Sequence, residues 1–443
     1  MHKTGIRLCH DGTPLHGTVR LDGAKHSLAH VLAGAAVHNR GQLTNVANNI
    51  DSDALIEGLR QIFTEVVFDA RTGRLRFDTP RRSGTVRFKS ELLARSRSLF
   101  CLVPAALHHV GQVILDGQPS GCDIGARPSG WYQDALERFG VRSERVGTST
   151  RYEWEDRHPA KIEFKYPSMT GSVMALAMAS TLQDPSDLTG LSVEPSFEEQ
   201  IEAAEQTGTY VCRSADGSRL RVARGEASST NWAIGADRIH AVTLLTAGLL
   251  TYGDVTVTFG RDLRIPRFIK FCERLGCDVE GDAHSLRVAH PLTRPLASVS
   301  DFKVGSEPLF SSDWAPFAAL LLATRANGTS SIVDDVFVGR FQFTGLLSEA
   351  GLNNVTVKRQ QIGGREAAYA KIVGNQRLQL RSTRIERCPD IRGSAAIVLA
   401  SLIADGPITL VDDFHLRRGY RNLPDQLAQL GLKKYETLEG PVH

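Results

Sequence analysis

The chain has 443 residues, 42% hydrophobic and 23% charged, enough apolar side chain for a sizeable core and too much for wholesale disorder. Lys and Arg total 52 against 49 Asp and Glu, a formal charge of +3; that is no footprint for a nucleic-acid backbone, although a local cationic pocket remains open. Seven cysteines without a Cys-x-x-Cys pair indicate neither a disulfide framework nor a zinc knuckle.

Taken in chain order, the N-terminus (Met1-His-Lys-Thr-Gly-Ile-Arg7) lacks the apolar core of a signal peptide. Two stretches carry no formal charge. Residues 99–115 are interrupted by Pro104, His108, His109 and Gly111, and residues 241–253 are too few to cross a bilayer. A reduced, cytoplasmic enzyme with no membrane partner is expected. Length alone suggests about three domains.

A repeat replaces that count. A small-residue apolar helix, a glycine, a short β-rich run, a loop and a second helix recur along the chain. The β-runs open at Gly41-Gln-Leu-Thr-Asn-Val46, Gly111, Gly253, Gly328 and Gly406, spaced by 70, 142, 75 and 78 residues. The missing member falls at residues 186–191, so six units of roughly 74 residues span the chain. The helices before the runs (99–107, 174–182, 239–250, 315–323 and 394–404) are apolar nearly all round, as buried helices are. The second helices end at Gly140, Gly276 and Gly431, a helix-stop signal. Buried helices ringed by sheets and outer helices make an inside-out α/β arrangement. The alternative, a three-layer doubly wound sheet, has no six-fold period. Neither Gly-x-Gly-x-x-Gly nor a P-loop nor His-Glu-x-x-His occurs, so no nucleotide cofactor and no metal are indicated.

Helix N-termini attract anions. Lys25-His26, Arg238, Asp313 and Asp390-Ile-Arg392 lie near predicted starts, where a bound anion would explain the cations. Cys122, between Gly121 and Asp123 and outside any apolar run, is expected in an accessible, mobile loop. Cys9, Cys101, Cys212, Cys272, Cys277 and Cys388 read as small packing residues.

Gly121-Cys122-x-Ile124-Gly125-Ala126-Arg127-Pro128 resembles the catalytic loop of the UDP-N-acetylglucosamine enolpyruvyl transferase family. Gly23-Ala24-Lys25, Ser168, Glu194-Pro195, Asp237-Arg238-Ile239, Asp313, Val336-Phe337-x-x-Arg340-Phe341, Asp390-x-Arg392 and Arg418-Gly419-Tyr420 follow in that family's order. The resemblance implies a two-domain inside-out α/β barrel, the enolpyruvyl transferase fold, from six βαβαββ-like repeats. It implies one domain over 25–239 carrying the catalytic loop 117–128, a second from 1–24 plus 240–443, and an active site in the interdomain cleft. The implied reaction moves the enolpyruvyl group of phosphoenolpyruvate onto a hydroxyl and releases phosphate.

By the same resemblance, Cys122 is the acid that protonates C3 and Asp313 accepts the hydroxyl proton, an aspartate that also suits a helix N-cap. Lys25, Arg127, Arg392 and Arg418 clamp phosphoenolpyruvate, with Lys25 also catalytic. The acceptor falls to His26, Arg127, Pro128, Trp131, Lys165, Ser168, Asp313 and Arg340.

The departures from the family cluster on the acceptor side. Its Gly-Ala-Lys-Asn is Gly23-Ala24-Lys25-His26 here, and its Arg-Pro-Val-Asp-Leu-His is Arg127-Pro128-Ser129-Gly130-Trp131-Tyr132. An expected arginine is Ser96, and a lysine is displaced to Lys165. UMP or a similar simple uridine nucleotide, as in nucleoside-antibiotic biosynthesis, is therefore the favoured acceptor. UDP-N-acetylglucosamine of peptidoglycan synthesis is the alternative, and a non-catalytic nucleotide-binding paralog stands behind both. Trp131 or Tyr132 suits base stacking or core packing. The Asn-Ala-Gly-Thr-Ala-Met-Arg signature of the shikimate-pathway enzymes is missing.

Overall fold

The computed structural model describes residues 4–118, 121–125, 130–226, 229–261, 263–290 and 295–439, apart from the side chain of Trp131. The chain divides into two compact units. Unit 1 comprises Met1–Leu21, Cys122–Ala126 and Ala236–His443, and unit 2 comprises Asp22–Gly121 and Arg127–Gly235. Among the described residues, no helix is long and apolar enough to cross a membrane.

The six predicted β-runs become the central strands of six separate sheets: Arg40–Thr44, Gln112–Asp116, Ser186–Thr189, Asp254–Thr258, Gly328–Asp334 and Ala404–Asp412. Each sheet has one plan. The central strand has a parallel neighbour on one side and an antiparallel partner on the other, which pairs with a further antiparallel strand. In unit 1 this plan is completed by the N-terminus. Thr4–Cys9 lies antiparallel between Ala404–Asp412 and Lys434–Glu439, and His16–Arg20 runs parallel to Asp254–Thr258. A parallel pair needs a long crossover, and the buried helices supply it.

Those helices have no polar face because they have no solvent face. Every residue from Ile239 to Leu250, of Ala315–Arg325 and of Ile391–Ala400 is buried. Met169–Ala179 is apolar on all sides, with Gly171 to Ala179 buried. Each leucine, isoleucine or valine placed in this way contributes about 1.5–3 kcal/mol. Two separate cores result, one per unit. Helix entry is set by capping: Asp237 accepts the N–H groups of Ile239 and His240 at 2.8 and 3.0 Å, and Ser168 accepts that of Gly171 at 3.2 Å. Exit falls to left-handed glycines, Gly111 (φ 86°) and Gly276 (φ 83°).

Unit 2 also holds two buried histidines, His30 and His109, and a half-buried one, His108. Burial pulls His30 and His109 down to about 4, and His108 to about 3 with help from nearby His109, Arg157, Arg224 and Arg82. A ring that is harder to protonate when folded stabilises the fold above its ordinary value of 6.5, and that contribution is lost as pH falls towards 4. Chemical-denaturation midpoints are therefore expected to drop between pH 7 and pH 4.5. A flat profile would mean these rings are not buried in the native protein.

Candidate active site

In unit 1 the helix Ala315–Arg325 is entered through the single turn Ser312–Trp314. Asp313 is not the N-cap that its position suggested. Ser311 takes that role, its hydroxyl accepting the Asp313 N–H at 3.2 Å, and the Asp313 carboxylate is left for other partners. Its Oδ1 lies 2.8 Å from Arg340 Nη2 and its Oδ2 3.4 Å from Arg392 Nη2. The carboxylate is 23% exposed, enough to meet a ligand.

Arg340 is 2% exposed, and its nitrogens point into protein. Nη1 donates to Asp390 Oδ1 and Oδ2 at 3.2 and 3.3 Å, Nε to Ser312 Oγ at 3.3 Å, and the guanidinium lies 4.7 Å from the Phe337 ring centre. Burial disfavours its charge, but Asp390, Asp313 and Asp334 outweigh that and hold it protonated. In the structure this side chain joins Asp313 and Asp390. Arg392 is also buried. Desolvation opposes its charge, while Tyr420, Asp313, Asp237 and Asp390 raise its pKa. Its guanidinium sits 5.5 Å from the centre of the Tyr420 ring, whose hydroxyl is 3.0 Å from Thr243 Oγ1.

Cys122 differs from the accessible loop residue that was expected. It is half-buried against the unit 1 core, and its sulfur accepts the Ile391 N–H at 3.4 Å. Asp123 N–H donates to Pro389 O at 3.0 Å, Gly339 N–H to Ile124 O at 2.9 Å, and Gln342 Nε2 to Asp123 O at 2.9 Å. These bonds are why Cys122–Ala126 belongs to unit 1, whereas the expected domain had carried the whole loop with 25–239. Gly339 is required by the close approach, since a Cβ there would meet Ile124 Cα at 2.8 Å. The thiol is thus held at the first residue of Ile391–Ala400, one residue before Arg392. A helix N-terminus beside a buried arginine is a place for a small anion.

Unit 2 holds a second set. Lys25 begins the helix Lys25–Ala35 and is buried with Asp51, Nζ to Oδ2 2.5 Å. His26 is half-buried, its ring parallel to that of His30, 6.4 Å between centres and 10° between planes. Ser168 caps Met169–Ala179, and Lys165 is exposed. Ser96, at the position of the expected arginine, is buried and caps the turn Arg97–Leu102 by accepting Ser98 N–H at 3.1 Å. Arg95 beside it pairs with Glu57 at 2.5 Å. Tyr132 is core, packed on Phe100 with ring centres 4.4 Å apart. Arg127, Pro128 and the Trp131 side chain lie outside the described residues.

The structure therefore brings Cys122, Asp313, Arg340 and Arg392 together in unit 1, where Arg418 is also buried. Lys25, His26, Lys165 and Ser168 belong to unit 2. Arg238 pairs with Glu307, Nη1 to Oε1 3.1 Å. Cys212 is exposed rather than packed, on the strand Tyr210–Arg213. Asp51, His30, Ser312 and Asp334 were missed, because an ion pair across 26 residues or a side-chain relay leaves no local pattern. Among the described residues, no three His, Cys, Asp or Glu side chains converge as a metal-ligand group.

A protein-family model described as EPSP synthase (3-phosphoshikimate 1-carboxyvinyltransferase) matches residues 9–427. The UDP-N-acetylglucosamine 1-carboxyvinyltransferases of Chloroherpeton thalassium and Nocardia farcinica are each 27% identical to the chain, over 98% and 95% of it and 96% of each relative. Among solved structures, the enolpyruvyl transferase NikO from Streptomyces tendae superposes with a TM-score of 0.81 at 23% identity, covering 100% of both chains. EPSP synthase from Acinetobacter baumannii superposes at 0.70 and 14% identity, covering 98% of this chain and 99% of that one. At such identities the solved structures speak to the fold alone.

Proposed function

The chain belongs to the family described as EPSP synthase (3-phosphoshikimate 1-carboxyvinyltransferase) and has its enolpyruvyl transferase fold, and on that premise we propose that it transfers the enolpyruvyl group of phosphoenolpyruvate to a hydroxyl of a simple uridine nucleotide, UMP by preference, in the cytoplasm. The observation that carries the chemistry is the placement of Cys122 at the start of Ile391–Ala400, next to Arg392 and the Asp313 carboxylate.

In this reading Arg392, Arg418, Lys25 and Arg127 bind the phosphate and carboxylate of phosphoenolpyruvate, where charge-assisted contacts offset the crowding of negative charge. Asp313 takes the proton of the acceptor hydroxyl as its oxygen attacks C2. Cys122 delivers a proton to C3, and a tetrahedral ketal forms. The Cys122 thiolate then takes back a C3 proton as the C2–O bond to phosphate breaks and the double bond re-forms, and the proton held by Asp313 leaves with the phosphate. The products are the enol ether and inorganic phosphate. Arginine suits the planar carboxylate because its fork donates two parallel bonds.

The acceptor assignment is supported by what replaces the family's residues. Histidine stands at position 26, and Ser96 is a buried cap that supplies no cation. A diphosphate-sugar acceptor would be short of partners there. Phosphate release from phosphoenolpyruvate, assayed in parallel with UMP and UDP-N-acetylglucosamine, is expected to be faster with UMP by tenfold or more in kcat/KM, and His26→Asn is expected to narrow that ratio. Turnover with UDP-N-acetylglucosamine alone would assign the chain to that acceptor instead.

A further inference from the structure

We infer that Ser312 and Asp334 are positioning residues for the reaction, a strut that fixes Arg340 and through it the carboxylate of Asp313. The inference rests on the reading of Asp313 as the base.

Each of the three Arg340 guanidinium nitrogens has a partner. Nη1 goes to Asp390, Nη2 to Asp313 at 2.8 Å, and Nε to Ser312 Oγ at 3.3 Å. The two carboxylates hold Nη1 and Nη2 and leave Nε without an anchor. The contact with Ser312 supplies that third anchor. Ser312 in turn donates its hydroxyl proton to Asp334 Oδ2 at 2.5 Å. Asp334 ends the central strand Gly328–Asp334, and its Oδ1 accepts the N–H groups of Val336 and Phe337, both at 2.9 Å. The end of a sheet is thereby tied to Asp313 through one hydroxyl and one guanidinium. The turn it closes also carries Phe337, whose ring lies beneath that guanidinium. Ser312 and Asp334 are both buried and their side-chain oxygens are engaged with each other, with Arg340 and with the Val336 and Phe337 N–H groups, so they act through Arg340. Catalytic groups lose effectiveness when displaced by about 0.5 Å or by 10–20°, so the bracing of Arg340 bears directly on Asp313.

Steady-state kinetics of Ser312→Ala, Ser312→Thr, Asp334→Asn and the double variant Ser312→Ala/Asp334→Asn test the strut. Ser312→Ala is expected to lower kcat about tenfold, with KM for phosphoenolpyruvate within about twofold of the parent. Ser312→Thr, which keeps the hydroxyl, restores most of the rate. Asp334→Asn preserves the shape and the acceptor for Val336 and Phe337, so it folds while losing the charge that orients Ser312. The double variant is expected to be no slower than the slower single variant, because both act on one path. Parental kcat in Ser312→Ala, equal loss in Ser312→Thr with an unchanged melting temperature, or additive losses in the double variant would overturn the strut. If Asp313→Asn keeps the parental rate, the base assignment fails instead, so the two failures are separable.

Discussion

Replacing Cys122 with alanine is expected to lower kcat by about 10²- to 10⁴-fold, the range over which a positioned acid contributes. The fold should tolerate the change. Cys122 is only half-buried, and the segment is also held by Asp123 N–H to Pro389 O, Gly339 N–H to Ile124 O and Gln342 to Asp123 O. What is lost is the sulfur that accepts the Ile391 N–H, and with it the group proposed to protonate C3. KM for phosphoenolpyruvate should move far less than kcat, since the proposed clamp is untouched. Steady-state phosphate release with a melting curve checks both halves, and a Cys122→Ala enzyme at the parental rate would remove the thiol from the chemistry. Bound phosphoenolpyruvate is also expected to slow alkylation of Cys122.

Lys25→Met carries the second large effect, on stability as well as activity. Lys25 and Asp51 are both buried, 2.5 Å apart. Removing the ammonium leaves the Asp51 carboxylate buried without that cation, which costs about 3–5 kcal/mol. In a unit of this size that lowers Tm by on the order of 10 °C. A second substitution separates the two roles. Lys25→Met/Asp51→Leu replaces the pair by apolar side chains and is expected to recover most of the lost stability, since a buried ion pair is often no better than its hydrophobic counterpart. It should recover none of the activity, because the cation proposed to bind phosphoenolpyruvate stays absent. Thermal melts and turnover on both variants distinguish these outcomes. Recovery of activity together with stability would make Lys25 a structural residue only.

Much of the architecture was legible because it is periodic. Apolar helices without a polar face cannot sit at a surface, and glycines that end helices mark where each unit turns. Six β-openings at a near-constant spacing became six sheets of one plan, one for each opening. The site was legible where a motif is contiguous: Cys122 in its glycine-rich segment, Asp313 at a helix entrance, Asp390-Ile391-Arg392 at another. It was misread where a side chain's surroundings decide its role. Arg340 gave no sign in the sequence of its buried pairing with Asp313 and Asp390. Cys122 looked loose, yet four hydrogen bonds made by Cys122, Asp123 and Ile124 hold its segment. Tyr132 was open between base stacking and packing, and Phe100 settles it as core.

From the sequence alone came the repeat, the buried helices, the near-neutral charge and the short motifs that carry the family resemblance, since each depends on residues close together in the chain. Only the tertiary structure decided which cations face which carboxylates: Lys25 with Asp51 across 26 residues, Arg340 with Asp390 across 50, Arg392 with Asp313 across 79. Local patterns are set by backbone periodicity and capping. Ion pairs buried at long range are set by how separate sheets and helices pack, and a charge taken out of water must find its partner wherever that packing places it.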